Sequence, residues 1–241
     1  MRRVIRSAIK RTVNLIGVDI VRTKNLPEYT LAGLRGRSIH TVIDCGANEG
    51  QFARYVSQFF PSSLIFCFEP LPEPFTKLRK WAETQGGRVA CFNVALGESE
   101  EVVQMHFHSE HSASSSLLST TDHEEQLFPQ TRTQRDVSVS VTTLDKVLAD
   151  HVRGFTPEVL LKLDVQGFED RVLRGARNLL RSVDACIAEL SLDPLYEGQA
   201  TFKDVVSLLD DHEFRYSGNF SQSYGDDGRI MWLDALFLKR S

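Results

Sequence analysis

Residues 41–51 constrain the fold more than any other stretch of this 241-residue chain. They read TVIDCGANEGQ, a β-branched run that suits a buried parallel strand, followed by an acidic residue and a turn of small residues. Gly46, Ala47 and Gly50 keep bulky side chains out of the turn, so we expect its main-chain amides to approach a ligand. An amphipathic helix follows and is expected to end at Pro61. Strand, turn and helix together predict an α/β fold with a nucleotide-type ligand at the turn.

A second predicted strand, Leu64 to Phe68, ends in an acidic residue at the position typical of a nucleoside site. This residue, Glu69, lies 25 positions beyond Asp44. An acidic side chain at the tip of the second strand is placed to accept hydrogen bonds from both hydroxyls of a ribose. Asp44 and Glu69 therefore predict a cofactor that contains a nucleoside.

The turn departs from the fingerprint of dinucleotide-binding domains. Asn48 stands where a second glycine would admit a pyrophosphate. The carboxylates of Asp44 and Glu49 would repel a pyrophosphate, whereas they suit a cationic sulfonium ligand with an amino acid end. This chemistry favours S-adenosylmethionine over NAD. A non-catalytic nucleoside-binding protein and an NAD-dependent oxidoreductase stay open as alternatives.

Composition indicates a single enzyme domain. Hydrophobic residues make up 41% and charged residues 25% of the chain, as in soluble globular proteins. The chain has neither an apolar run long enough to span a membrane nor the uninterrupted apolar core of a secretory signal. Four cysteines without metal-ligand spacing read as reduced core thiols, which predicts a cytoplasmic location: Cys45, Cys67, Cys91 and Cys186.

Residues 1–39 read as a basic helical segment ahead of the domain, which we place at residues 40–241. Residues 1–37 hold nine Lys or Arg against two acidic residues, a net charge of +7. Because the whole chain has a net charge of −4, the remaining residues carry −11. One hypothesis places the amphipathic residues 1–22 on an anionic membrane surface near a lipid-linked substrate; the alternative packs this helix on the domain's own core. The acidic bulk lacks the basic track that nucleic acid requires, so no nucleic-acid partner is expected.

The rest of the chain alternates further strands and helices. Between the predicted strands Val102–Phe107 and Val137–Val141 lies a polar stretch, residues 108–136, which we expect to fold over the ligand crevice. The other predicted strands are Arg88–Val94, Val159–Asp164, Ala185–Leu190, Phe214–Tyr216 and Trp232–Leu238, the last two forming an antiparallel edge pair.

Five motifs in order resemble the FkbM family of S-adenosylmethionine-dependent methyltransferases. They are VIDCGANEG, FEP, NVAL, LKLDVQGFE and IAEL, within a resemblance that covers residues 40–238. The resemblance implies a Rossmann-like class I methyltransferase fold, with a seven-stranded, mostly parallel sheet and a C-terminal antiparallel hairpin. It also implies methyl transfer, mostly to hydroxyl oxygens of sugars, glycolipids or polyketides.

The same resemblance assigns cofactor-binding residues. It implies that the methionine end of the cofactor is lined by Asp44, Gly46, Asn48 and Gly50. Glu69 would bind the ribose. The adenine side would be lined by Asn93, Ala95 and Leu96.

Methyl transfer to an alcohol needs a group that takes the proton of the alcohol or lowers its pKa. The candidates are Asp164 at a carboxyl strand end, Glu189 on the next strand, and His111 in the polar loop. Each has a structural alternative: Asp164 could hold the adjacent turn, Glu189 could pair with Lys162, and His111 could be solvated. Asp164, Glu169 and Glu189 also offer hard oxygen ligands of the kind that Mg²⁺ accepts, so a divalent metal stays open.

Overall fold

The computed structural model describes residues 34, 36–225 and 227–240. Gly36–Ser241 form one compact unit, and the fold is described for this unit. The predicted basic segment 1–39 lies almost entirely outside the described residues, so its helical character and its membrane contact stay predictions. None of the described helices has the length and apolar character needed to cross a membrane.

The described residues contain ten strands and six α-helices. The strands are β1 Thr41–Cys45, β2 Leu64–Phe68, β3 Val89–Phe92, β4 Ala95–Leu96, β5 Glu101–Phe107, β6 Arg135–Thr142, β7 Val159–Leu163, β8 Ala185–Ser191, β9 Phe214–Tyr224 and β10 Ile230–Lys239. The helices are α1 Gln51–Phe59, α2 Pro72–Ala82, α3 Asp122–Leu127, α4 Leu144–Val147, α5 Glu169–Arg174 and α6 Phe202–Asp211.

Seven strands form the main sheet, in the order β3–β2–β1–β7–β8–β10–β9. β1, β2, β3, β7 and β8 are parallel, and β10 runs antiparallel between β8 and β9. β1 and β7 lie at the centre and are buried along their whole length, as their apolar sequences require. The predicted α/β fold, with its C-terminal antiparallel hairpin, is confirmed.

Local sequence explains where the helices begin. Pro72 occupies the first turn of α2, where its missing N–H costs nothing and its fixed φ is already helical. α6 starts with a capping box, in which the side chains of Thr201 and Asp204 each accept from the other residue's backbone N–H. α1 packs on the sheet through Ala53 and Val56 and ends at Phe59, just before the predicted stop.

A smaller sheet, β4–β6–β5, carries the polar stretch of residues 108–136. β5 and β6 pair antiparallel, and β4 lies parallel to β6. Part of the stretch forms regular secondary structure. It contains α3, whose first turn is capped by the Thr121 hydroxyl, and the buried Glu124 accepts a hydrogen bond from Thr131 at 2.6 Å.

Predicted and observed strand ends agree to within two residues except at the end of β9, and the differences at β3 and β9 have a physical reason. The run expected at residues 88–94 is shorter, because the chain leaves the main sheet after Phe92 and joins the smaller one at Ala95. β9 continues to Tyr224, far beyond the predicted end at Tyr216. The extension has a polar sequence, which does not indicate a strand. It can be polar because β9 is an edge strand, held mainly by backbone hydrogen bonds to β10.

Candidate active site

A cavity of about 380 Å³ opens at the carboxyl ends of β1, β2 and β7. This is the crevice where ligands bind in open α/β sheets. Seven of the residues predicted from sequence line it: Asp44, Gly46, Asn48, Glu69, Ala95, Leu96 and Asp164. Residues from widely separated parts of the chain are therefore brought to one site.

Glu69 is held in place by the turn that follows β1. Its side chain is 5% exposed, and its two oxygens accept hydrogen bonds from the backbone N–H groups of Asn48 (2.9 Å) and Leu71 (2.8 Å). Burial raises the pKa of Glu69 to about 7, although both hydrogen bonds favour the ionised form. The carboxylate is thus fixed in orientation in the cavity wall.

Asp44 is the most deeply buried acid of the cavity. It is 1% exposed, and its Oδ2 atom has no hydrogen-bond partner among the described residues. Burial raises its pKa to about 7; the charge of Lys162 opposes this shift and that of Asp164 adds to it. A buried carboxylate oxygen without a donor is costly, so this atom fits a ligand that brings a positive charge or a hydrogen-bond donor.

The backbone amides of the turn are not free, contrary to the expectation that they would face a ligand. Those of Gly46 and Ala47 donate to the carbonyl oxygen of Phe68, at 3.0 and 2.9 Å, and that of Asn48 donates to Glu69. The amide of Gly50 donates to Ala47 at 2.7 Å. A pyrophosphate would need such amides, so their occupation counts against a dinucleotide at this turn.

Gly46 and Gly50 serve the packing of the chain. At Gly46, where φ is +79°, an added Cβ would lie 1.8 Å from the backbone oxygen of Asp164. At Gly50, where φ is +89°, it would lie 2.9 Å from Cδ1 of Leu78 on α2. Gly46 therefore lets the ends of β1 and β7 approach each other, and Gly50 lies outside the cavity lining.

Asn93 also lies outside the cavity lining, in a supporting position. Its side-chain amide donates to the backbone oxygens of Glu69 and Pro70, both at 2.9 Å. These bonds tie the end of β3 to the turn after β2 and so support the placement of Glu69.

Lys162 lies among three acids at the floor of the cavity. Its Nζ donates to Asp234 Oδ1 at 2.9 Å and to Asp164 Oδ2 at 3.3 Å. Burial alone would lower the pKa of Lys162, but Asp164, Asp234 and Glu189 outweigh it and hold that pKa well above its usual value. Lys162 is therefore a fixed cation that compensates the surrounding carboxylates.

Glu189, the third acid near Lys162, lies outside the cavity lining. Its Oε2 accepts from Nε2 of Gln166 at 2.6 Å, and the same nitrogen donates to Oδ1 of Asp164 at 2.8 Å. Burial, followed by the charge of Asp164, raises the pKa of Glu189 well above its usual value. Asp164 itself is 35% exposed and lines the cavity.

The stretch of residues 108–136 does cover the crevice, as predicted. Ser112, Ala113, Ser115 and Leu117 line the cavity, and the Ser112 hydroxyl donates to Oδ1 of Asn48 at 3.2 Å. We call residues 111–117 the wall loop. His111 belongs to it, but its ring faces the Ser114 hydroxyl (2.8 Å) and stacks on Phe128.

Sequence reasoning missed Gln166, Tyr196 and Asp234 as members of the site. Asp234 left one usable signal, an acid within the apolar run of β10, and its register partner on β8 is Glu189. A group suited to metal binding, with three or more His, Cys, Asp or Glu, is absent from the part of the chain that the structure describes. The oxygens of Asp164 and Glu189 that were candidate metal ligands instead accept from Lys162 and Gln166.

Comparison with known proteins places this chain in a family. The model of the Methyltransferase FkbM domain matches residues 44–216. The 2-O-methyltransferase NoeI of Sinorhizobium fredii (strain NBRC 101917 / NGR234) is 28% identical over 180 residues, or 71% of this chain and 72% of that protein. The 31-O-demethyl-FK506 methyltransferase FkbM of Streptomyces tacrolimicus is 29% identical over 211 residues, or 77% of this chain and 76% of that protein.

A solved structure shows the same fold. The crystal structure of Methyltransferase FkbM from Methylobacillus flagellatus KT superposes with a TM-score of 0.53 at 14% identity. The alignment covers 90% of this chain and 48% of that one, so this chain spans about half the length of that protein. The family resemblance read from five sequence motifs is confirmed, and the chain belongs to the FkbM family of S-adenosylmethionine-dependent methyltransferases.

Proposed function

We propose that this protein transfers a methyl group from S-adenosylmethionine to a hydroxyl of a sugar, glycolipid or polyketide-like acceptor. One observation carries the proposal: the partly exposed carboxylate of Asp164 stands in the wall of the same cavity as the buried acids Asp44 and Glu69. Similarity to a 2-O-methyltransferase and to a 31-O-demethyl-FK506 methyltransferase supports oxygen as the methyl acceptor.

The two buried acids bind different parts of the cofactor. Glu69, fixed by two backbone N–H groups, accepts hydrogen bonds from the ribose hydroxyls. Asp44, with its unpaired oxygen, faces the amino acid and sulfonium end, where a positive charge compensates its burial. Ala95 and Leu96 give an apolar surface for the adenine, and Asn93 supports Glu69 from outside the cavity.

Asp164 is the candidate proton acceptor. S-adenosylmethionine supplies the methyl group when it is bound. Asp164 would take the proton of the acceptor hydroxyl as that oxygen bonds to the methyl carbon and the sulfur–methyl bond breaks, which leaves S-adenosylhomocysteine, and the wall loop would keep bulk water away. Glu189 is linked to Asp164 by Gln166, whose side-chain amide donates a hydrogen bond to both carboxyl groups. A base role for His111 stays a prediction, as does dependence on a divalent metal.

The direct test is transfer of labelled methyl groups. Purified full-length protein is incubated with methyl-labelled S-adenosylmethionine and a panel of methyl glycosides, glycolipids and macrolides, and labelled products are analysed by mass spectrometry. We expect acid- and base-stable methyl ethers on hydroxyl-bearing acceptors. Tight cofactor binding without transfer to any member, or to extracts of cells, would favour a non-catalytic binding protein instead.

Replacing Glu69 by alanine is expected to weaken cofactor binding by about 1–3 kcal/mol, because charge-assisted hydrogen bonds to the ribose are lost. Isothermal titration calorimetry with S-adenosylhomocysteine measures this change. Glu73→Ala is a matched control, since Glu73 lies on the exposed side of α2 and pairs with Arg135. Equal affinity of the Glu69 variant and the wild type would refute the ribose assignment.

Cofactor affinity is expected to rise with pH. The pKa values of Asp44 and Glu69 are raised to about 7, so in the free protein both bind protons between their ordinary values and neutrality. A sulfonium cation favours the ionised carboxylates, so binding releases protons, and affinity increases about tenfold per carboxyl between pH 6 and pH 8. S-adenosylhomocysteine lacks the cationic sulfur and should show a smaller increase. Calorimetry with both ligands across this range would contradict the assignment if affinity fell as pH rose.

A further inference from the structure

Gln166 has a backbone conformation that is unusual for its residue type. It follows the end of β7 with φ of +53°, and the next residue, Gly167, has φ of +93°. A Cβ added to Gly167 would lie 2.8 Å from Cβ of Gln199. The carbonyl oxygen of Gly167 accepts a hydrogen bond from the backbone N–H of Ala200 at 2.9 Å. Residues in this left-handed region persist where the surroundings hold them, commonly at functional sites.

The amide nitrogen of Gln166 lies between two carboxyl groups. Its Nε2 donates to Oδ1 of Asp164 at 2.8 Å and to Oε2 of Glu189 at 2.6 Å. A primary amide has two N–H donors on this atom, so both are in use. This one side chain therefore contributes to the orientation of both carboxyl groups, and Asp164 has a second donor in Lys162.

The remaining polar atoms of Gln166 contact the wall loop and residues 192–200. Its Oε1 accepts from the Tyr196 hydroxyl at 2.8 Å, and that hydroxyl also lies 3.0 Å from the carbonyl oxygen of Ser114. Its own carbonyl oxygen accepts from the Ser116 hydroxyl at 2.7 Å. Ser114 and Ser116 belong to the wall loop, and Tyr196 belongs to residues 192–200.

We propose that Gln166 is a positioning residue, which orients the Asp164–Glu189 carboxyl pair and joins it to the wall loop and to residues 192–200. The inference rests on the proposed function, since it requires Asp164 to face the acceptor. A neutral amide suits this place because it donates to both carboxyl groups without adding charge. A third carboxylate there would repel the other two.

The pair lies in a charged environment that any test of its titration must take into account. Around it are Asp44 from β1, Glu69 after β2, Lys162 from β7, Glu169 from α5, Tyr196 from the 192–200 loop and Asp234 from β10. Lys162 is the cation among these groups and already contacts Asp164 and Asp234. The hydrogen bonds from Gln166 add neutral donors to this set.

The test is the titration of the Glu189 carboxyl group in Gln166→Leu. Its ¹³C resonance is followed against pH in the full-length protein bound to S-adenosylhomocysteine, with Glu189→Gln used to assign the signal. Loss of a donor to the ionised form should raise the midpoint by about one pH unit. Mere loosening of the site would admit water and move the midpoint down, toward the ordinary value of glutamate.

Gln199→Leu is the matched control. Gln199 holds residues 192–200 through the amides of Leu195 and Tyr196, both at 2.8 Å, and donates to neither carboxyl group. In Gln199→Leu, the titration midpoint of Glu189 should stay at or below that of the wild type. A Gln166→Leu midpoint equal to or below the wild type would overturn the inference.

A separate measurement distinguishes this failure from failure of the proposed function. On acceptors that the labelled-methyl assay identifies, Gln166→Leu should lower kcat and shift the acidic limb of its pH profile upward, with cofactor affinity retained. If Asp164→Asn keeps full turnover, the proposed function of Asp164 is wrong. If Asp164→Asn is inactive while Gln166→Leu keeps the wild-type pH profile, only the role of Gln166 is wrong.

Discussion

Asp164→Asn is expected to lower turnover by roughly 10²- to 10⁴-fold, the usual loss when a positioned proton acceptor is removed. Asparagine keeps the shape of the side chain but cannot take a proton from the acceptor hydroxyl. The backbone N–H of Asp164 donates to the carbonyl oxygen of Cys45 at 3.0 Å, and this contact is independent of the side chain. Cofactor affinity should therefore stay close to that of the wild type.

Two measurements separate catalysis from structure in this variant. Turnover is measured by labelled methyl transfer, and affinity by calorimetry with S-adenosylhomocysteine. Asp136→Asn serves as control, because Asp136 is an exposed acid on β6 that pairs with His106 outside the cavity lining. Parallel loss of turnover and affinity in Asp164→Asn would mean that Asp164 holds the site together and does not accept the proton.

Gly46→Ala is expected to abolish cofactor binding and to destabilise the fold by at least about 3 kcal/mol. Its φ of +79° costs an alanine about 1–2 kcal/mol. The new methyl group would also lie 1.8 Å from the backbone oxygen of Asp164, which no side-chain movement relieves. The ends of β1 and β7 must then separate, and Asp44 and Asp164 move apart with them.

Gly86→Ala is the control that measures the cost of the positive φ alone, without the clash of the new methyl group. Gly86 has φ of +63°, and a Cβ added there meets nothing within 4 Å. This variant should lose only about 1–2 kcal/mol and should bind S-adenosylhomocysteine normally. Chemical denaturation measures both free energies of unfolding. Similar losses in the two variants would show that the contact between β1 and β7 matters less than backbone strain.

Much of the fold, and the presence of Asp44 and Glu69 in one cavity, could be predicted from sequence, because the signals are local. The β-branched run before Asp44, the small residues after it and the acid Glu69 at the next strand end are each read from a few neighbouring residues. The same local reading misjudged the turn amides. The amides of Gly46, Ala47 and Asn48 donate to Phe68 or Glu69, which lie more than twenty positions further along the chain.

The acceptor side could not be predicted in this way, because it depends on strand order. Asp234 meets Glu189 and Lys162 only because β10 inserts next to β8 in the antiparallel direction. Gln166 looks like an ordinary turn residue until Tyr196 and Ser116 are seen to contact it. No periodicity or spacing in the chain reports such neighbours.

The parallel pairing of β4 with β6 has a consequence for how acceptor choice can diverge. Ala95 pairs with Val141 and Leu96 with Thr142, so the excursion that carries the wall loop departs and returns through adjacent points. An excursion with such closely spaced ends can be lengthened, shortened or exchanged at little entropic cost. We therefore expect homologues with different substrates to differ most in the sequence and length of the segment that corresponds to residues 97–140. The segments around Asp44 and Glu69 should differ less.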